Sequence, residues 1–349
     1  MKDKPTFNTT WVQKQKPLNF DDPNHDIVYK QKAQNVPSIK THITNSCTVA
    51  WNSVTIDEKG RVFTCLCDGY VPFPVGNVED FKSFNEIFSS PQALLTQESI
   101  VKKEFKYCAT QFCGVESSNK SYRRGNIYLG INLDVSCNLS CPSCRERTIF
   151  INDKEILDNK LRLAKIIYSW IISTDKTIII ELAGGDPFVS LVYIDMIELF
   201  ANADNAKFQI KTNGILLESH LGKFSSDRIH SMSISIDAAS ADVYERVRRG
   251  GKWIQLLDNL EYLKSTNIKN VVGNFVIQRD NVGDIIPFVD FCQQYNLIPN
   301  YWVVQDWGTW INFEEHCVHI PASPYYQEFK QAVSTLTSMN VYHNLNNWL

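Results

Sequence analysis

The chain has 349 residues, of which 44% are hydrophobic and 21% charged, and its formal net charge is −3. That length covers one large domain plus a small one, and the near-neutral charge excludes bulk attraction to nucleic acid or anionic lipid. The opening MKDKPTFNTT lacks the apolar stretch of a secretory signal, and no apolar run reaches the roughly 18 residues of a membrane span, so the expectation is a cytoplasmic protein without a membrane or nucleic-acid partner.

Residues 1–35 are polar and weakly patterned and read as an arm. Residues 36–126 read as a small, irregular, cysteine-rich domain. Within it, Ser53–Ile56, the turn Asp57-Glu58-Lys59-Gly60 and Arg61–Thr64 predict a hairpin, and a short helix is expected around Phe81–Phe88. From residue 127 to 320 strand and helix patterns alternate. Strands are predicted at Ile127–Val135, Thr177–Leu182, Phe208–Lys211, Ser231–Ile236, Val271–Gln278 and Tyr301–Val304. Helices are predicted at Glu155–Ser173, Val189–Ala201, after the fourth strand to about Leu263, and Asp284–Tyr295. The first helix carries Leu157, Leu161, Ala164, Ile167 and Ile171 on one face, with Asn152 and Glu155 as a capping box. Residues 321–349 read as a tail. Six such units predict an α/β fold: a partial (β/α)6 TIM-like barrel preceded by the cysteine-rich domain, with its site at the C-terminal strand ends.

Ten cysteines are many for such a chain, and in a reducing compartment clustered cysteines bind metal more often than they pair. Directly after the first barrel strand stands Cys137-Asn-Leu-Ser-Cys141-Pro-Ser-Cys144. Three cysteines at CxxxCxxC spacing can ligate three irons of a cubane and leave the fourth open to chelate a small molecule. A zinc site with a fourth ligand from elsewhere is the plainer alternative. The spacing resembles the signature of the radical S-adenosylmethionine (SAM) superfamily. The resemblance implies a [4Fe–4S] cluster on Cys137, Cys141 and Cys144 with SAM on its open iron. A one-electron donor such as flavodoxin or ferredoxin would supply the electron that splits SAM to a 5′-deoxyadenosyl radical. The aromatic that many relatives carry before the third cysteine is Ser143 here.

Other strand ends fit the same resemblance. Gly184-Gly185-Asp186-Pro187 is similar to the family's GGEP motif, whose backbone meets the SAM ammonium and whose glycines permit close approach. Asn213 ends the third strand. Ser233, Ser235 and Asp237 alternate onto one face of the fourth, where relatives hold the ribose and methionyl groups. Arg248, in preference to Arg246 and Arg249, is expected to meet the SAM carboxylate. Val276 and Gln278 are candidates to flank adenine, and Trp307 to contact it through its backbone. Each of these also suits an ordinary rim or turn.

Ahead of the barrel, Cys47, Gly60 and Cys65 fit the CxnGxxxxC opening of SPASM and twitch domains, the auxiliary-cluster modules of the superfamily. Val75–Val78 and Ser83–Phe88 are also similar to SPASM text, although such modules usually follow the barrel. The resemblance implies one auxiliary [4Fe–4S] cluster on Cys47, Cys65, Cys108 and Cys113, with Cys67 as a spare; a zinc ribbon is the alternative. Full thiolate ligation suits electron transfer or positioning. Cys292 reads as a small buried hydrophobe. Cys317 lies in the polar text Glu314-Glu315-His316-Cys317-Val318-His319 and is the candidate hydrogen-atom donor to a substrate radical, or an incidental loop thiol.

The implied function is hydrogen-atom abstraction from a substrate carbon by an oxidoreductase- or epimerase-type enzyme. Ribosomally made peptides are the leading substrate, modified by epimerisation, oxidation or cross-linking. A carbohydrate or other small polar metabolite is the second reading, and a non-catalytic metal-binding protein the reading from another class.

Overall fold

The computed structural model describes residues 47–65, 71–108, 125–222, 225–306, 308–341, 343 and 345. The expected arm, Cys67, Cys113 and Trp307 lie outside these residues. Strands β1 (Ser53–Ile56), β2 (Arg61–Phe63) and β3 (Gly76–Asn77) precede helices α1 (Phe84–Phe88) and α2 (Pro91–Val101). The barrel follows as β4 (Asn126–Asp134), α3 (Lys154–Ile172), β5 (Thr177–Gly184), α4 (Leu191–Phe200), β6 (Ala206–Thr212), α5 (Leu217–Leu221) and β7 (Ile229–Ser235). It continues with α6 (Ala241–Val247), α7 (Trp253–Lys264), β8 (Val271–Ile277), α8 (Pro287–Gln294), β9 (Ile298–Val303) and α9 (Tyr326–Ser338). No helix among these residues is long and apolar enough to cross a membrane.

The described strands form one sheet in the order β3-β2-β1-β4-β5-β6-β7-β8-β9, and β4 through β9 are parallel throughout. This is the expected partial barrel. The cysteine-rich module is not a separate body beside it. Its first strand, β1, pairs in parallel with β4, from Ser53 opposite Tyr128 to Ile56 opposite Ile131, and its hairpin extends the barrel sheet. All four residues of β1 are buried, the mark of a strand covered on both faces.

Period-two alternation sorts the barrel strands into two faces. Ile127, Leu129, Ile131 and Leu133 of β4, Phe208 and Ile210 of β6, and Phe275 and Ile277 of β8 are buried under the helices. The helices present matching faces. On α3 these are Leu163, Ala164, Ile167, Trp170 and Ile171, and Asp153 caps the helix by accepting from the Ile156 amide. That cap lies one residue past the expected Asn152, because the Asp153 carboxylate reaches the amide three residues on. The opposite, inner face of the strands carries partly exposed polar side chains.

Two helical readings change. The segment expected as one helix after β7 is two, α6 and α7, broken at Arg248–Lys252, where Gly250 takes φ +96. The expected tail contains α9, which buries Phe329, Ala332, Val333 and Leu336.

Candidate active site

The Cys137–Cys144 loop leaves the C-terminal end of β4 and is fixed by backbone pairing. Cys137 and Ile149 exchange N–H···O bonds of 2.8 and 3.1 Å, closing the loop on itself. The Asp134 carboxylate accepts from the Ser136 amide at 2.6 Å. The amide of Asp186 donates to the Ser136 carbonyl at 2.8 Å. The two glycines before it are required for this approach: a Cβ on Gly185 would stand 2.1 Å from the Ser136 carbonyl oxygen, and Gly184 has φ +93. What presses on these glycines is thus the backbone of the cysteine loop itself.

Asp186 is buried, and its carboxylate accepts from the Phe188 amide (3.0 Å), the Thr212 hydroxyl (2.8 Å) and the Asn213 amide (2.7 Å). It therefore locks the ends of β5 and β6 together; Pro187 begins the turn that follows. Burial raises its carboxyl pKa, and these donors act against that shift. Asn213 donates to the Asn138 side chain at 2.8 Å, with its Nδ2 3.9 Å from Cys137 Sγ.

Three guanidiniums surround the loop. Arg145 donates to the carbonyls of Val135 (2.6 Å) and Gly184 (2.9 Å). Arg249 donates to Ser140 Oγ (3.1 Å) and the Glu146 carbonyl (2.9 Å). Arg248 pairs with Asp237 at 2.7 Å and places Nη1 3.7 Å from Cys141 Sγ. Thr309, beyond β9, donates to the Pro142 carbonyl at 2.7 Å. The three thiols are unpaired by disulfides, and burial raises the pKa of Cys137 and Cys141. Three soft donors on one loop within a cationic collar fit an anionic iron–sulfur cubane, whose irons would hold the thiols as thiolates.

The remaining candidates divide by burial. Ser233 and Ser235 lie half-buried on the inner face of β7, and Ser233 Oγ accepts from Asn274 Nδ2. Asp237 has φ +61; its carboxylate accepts from the Val276 amide at 2.7 Å as well as from Arg248, and its carbonyl accepts from Asn281 at 2.9 Å. The Val276 side chain packs against the small apolar cluster of Val304, Phe313 and Cys317. Gln278 is buried, with its amide donating to Asn281. Cys317 is not in a polar loop: its chain neighbours Glu314 and Glu315 face solvent while the thiol turns inward, and burial pushes its pKa up to about 12. Its Sγ donates to the Phe313 carbonyl at 3.6 Å.

Residues that sequence reasoning missed are Arg145, Thr309 and the inner-face set Glu181, Gln209, Lys211, Asn274 and Asn300. Arg145 was legible as the residue after the third cysteine. The inner-face residues follow from strand alternation once the barrel's inside is known.

Cys47, Cys65 and Cys108 of the module are half-buried, and the Thr55 hydroxyl donates to the Cys65 carbonyl at 2.7 Å. Cys47 lies just ahead of β1 and Cys65 just after the antiparallel β2, so both sit toward the end of the sheet opposite the Cys137 loop. Among the described residues no three His, Cys, Asp or Glu side chains form a group that could hold a single metal ion.

Residues 131–292 match the family model of the radical SAM superfamily, and residues 47–114 match that of the SPASM iron–sulfur cluster-binding domain. A probable GTP 3′,8-cyclase of Methanococcus aeolicus is 25% identical over 176 residues, covering 49% of this chain and 56% of the relative. The GTP 3′,8-cyclase of Alkaliphilus oremlandii is 29% identical over 173 residues, covering 47% and 53%. The chain thus spans about half the length of the curated relatives it matches. The crystal structure of Streptococcus suis SuiB bound to the precursor peptide SuiA superposes with a TM-score of 0.42 at 12% identity, covering 77% of this chain and 67% of that one.

Proposed function

We propose, from the premise that this chain belongs to the radical SAM superfamily and carries a SPASM iron–sulfur module ahead of its barrel, that it abstracts a hydrogen atom from a carbon of an amide-rich substrate, a peptide, and so epimerises, oxidises or cross-links it. When bound, the cluster and SAM supply the 5′-deoxyadenosyl radical. The chain's own residues hold and orient. Cys137, Cys141 and Cys144 provide the thiolates, the Gly184–Asp186 turn fixes their loop against β4, and Ser233 and Ser235 offer hydroxyls on the inner face at the same strand ends.

The observation that carries the substrate class is the chemistry of the inner face. Asn300 donates to Asn274 Oδ1 at 2.7 Å and Asn274 donates to Ser233, a row of neutral donors and acceptors across β7, β8 and β9. Lys211 is paired with Glu181 at 2.8 Å, and Gln209 donates to the same carboxylate. A nucleoside triphosphate, the substrate named for the curated relatives, brings several negative charges that call for cations beside it, whereas Lys211 in this row is already neutralised by Glu181. Carboxamides and hydroxyls instead match the amide groups of a peptide chain.

The test is anaerobic reconstitution with iron and sulfide, then SAM and reductant with either GTP or a small peptide encoded beside this gene. The expected result is 5′-deoxyadenosine formation with a modified peptide, and no cyclised nucleotide. A cyclic product from GTP would overturn the substrate class.

A further inference from the structure

The break between α6 and α7 places one charge where the sequence does not reveal it. Arg248 ends α6, and the turn after it is tight: a Cβ on Gly251 would lie 3.1 Å from the Arg248 carbonyl and 2.9 Å from Tyr244 Oη. The turn directs the Arg248 side chain inward, where it is 13% exposed against 2% for its partner Asp237. One nitrogen meets Asp237 at 2.7 Å and another stands 3.7 Å from Cys141 Sγ. Asp237 is pinned independently of the arginine. The Val276 amide holds its carboxylate at 2.7 Å, Asn281 holds its carbonyl at 2.9 Å, and its backbone sits at φ +61. A left-handed aspartate costs backbone energy and persists where its surroundings over-determine it.

We infer that Arg248 is a positioning residue for the cluster's charge: it fixes a cation against the Cys141 sulfur, with Asp237 as its anchor, and thereby raises the reduction potential of the cluster. This rests on the cluster assignment but not on the substrate proposed above. Reduction adds one electron, delivered by a one-electron protein donor, to a centre that is already anionic with its thiolates. A fixed positive charge at the sulfur favours the reduced form, and the aspartate paired with it opposes that effect in part. Arg145 and Arg249 bind backbone carbonyls and Ser140, and Arg145 also bonds Cys144, so among the described residues Arg248 is the one of the three with a carboxylate counter-charge in contact. The two members of the pair therefore act on the potential with opposite signs, which loss of packing alone does not do.

The experiment is an EPR-monitored redox titration of the anaerobically reconstituted, full-length protein without substrate. R248Q is expected to lower the reduced-to-oxidised ratio at a fixed poise about tenfold, equivalent to about 59 mV more negative for one electron. D237N is expected to move the potential the other way. R248K keeps the charge and should stay within about threefold of wild type; it also keeps the measurement available if the glutamine variant loads cluster poorly. Shifts of the same sign in R248Q and D237N, an unmoved potential in either, or an R248K shift as large as that of R248Q would overturn the inference. Iron and sulfide content of the wild type reports separately on the cluster: a wild type that holds none contradicts the family reading, whereas a loaded wild type with unmoved variants contradicts only the role of Arg248.

Discussion

Gly185→Ala is the smallest change that tests how the cysteine loop is held. The added Cβ would meet the Ser136 carbonyl oxygen at 2.1 Å, the Val135 carbonyl carbon at 2.7 Å and the Ser136 nitrogen at 2.8 Å. All three are backbone atoms, so no side chain can swing aside. Relief to ordinary contact, about 3.4 Å, displaces the start of the cysteine loop by more than about 1 Å. Overpacking of this kind costs about 3 kcal/mol, and a misplacement of about 1 Å at a reacting site costs about 100-fold in rate. The expected outcome is a lower Tm and SAM cleavage down about 100-fold per loaded cluster. Gly222→Ala is the control: among the described residues its Cβ would have only Tyr262 Oη at 3.9 Å nearby, and stability should stay within about 0.5 kcal/mol. Differential scanning calorimetry, iron analysis and chromatographic quantification of 5′-deoxyadenosine give the three numbers. A G185A protein with wild-type Tm, iron content and cleavage rate would refute the packing of the glycine turn on the loop.

Asp186→Ala removes an acceptor shared by three donors and leaves them buried, so unfolding stability should drop by about 2–4 kcal/mol in chemical denaturation. Asn274→Ala with Asn300→Ala should weaken substrate binding, seen as a raised KM for the peptide, while SAM cleavage without substrate continues; an unchanged KM would remove the inner-face row from recognition. His319 has its pKa lowered to about 4 by burial. The unfolded chain takes up this proton below about pH 6.5 and the folded chain does not, so its neutral-state stabilisation is present above pH 6.5 and falls away toward pH 4. The loss should reach about 3 kcal/mol in wild type, and H319Q should flatten that part of the pH–Tm curve; parallel curves would contradict the burial.

The cysteine triplet and the alternating βα pattern were legible because each is local: spacing alone groups three thiols, and strand periodicity alone separates the faces. Parallel pairing of β1 with β4 was not, because it joins Ser53–Ile56 to residues some seventy positions later. Ser-Val-Thr-Ile alternates polar and apolar residues, as a strand with one solvated face would, so the burial of all four positions left no trace in the sequence. Helix α9 carries its apolar residues sparsely, at Phe329, Ala332, Val333 and Leu336 on an otherwise polar segment, and this spacing went unread. Cys317 was misplaced because its acidic neighbours suggested solvent, while a single 3₁₀ turn, Phe313–His316, suffices to fold the thiol inward. The roles of Gly185, Asp186 and Arg248 depend on contacts between strand ends, and local sequence identifies the residue in each case without identifying what it touches.

The central claim is that three thiolates on one loop carry an iron–sulfur cluster able to cleave SAM. Its most direct measurement compares wild type with the triple alanine variant at residues 137, 141 and 144, each reconstituted without oxygen and given SAM and dithionite. The expected outcome is 5′-deoxyadenosine from the wild type and none from the variant. Equal yields from the two proteins, or a wild type that takes up zinc in place of iron and sulfide and makes no 5′-deoxyadenosine, would contradict it.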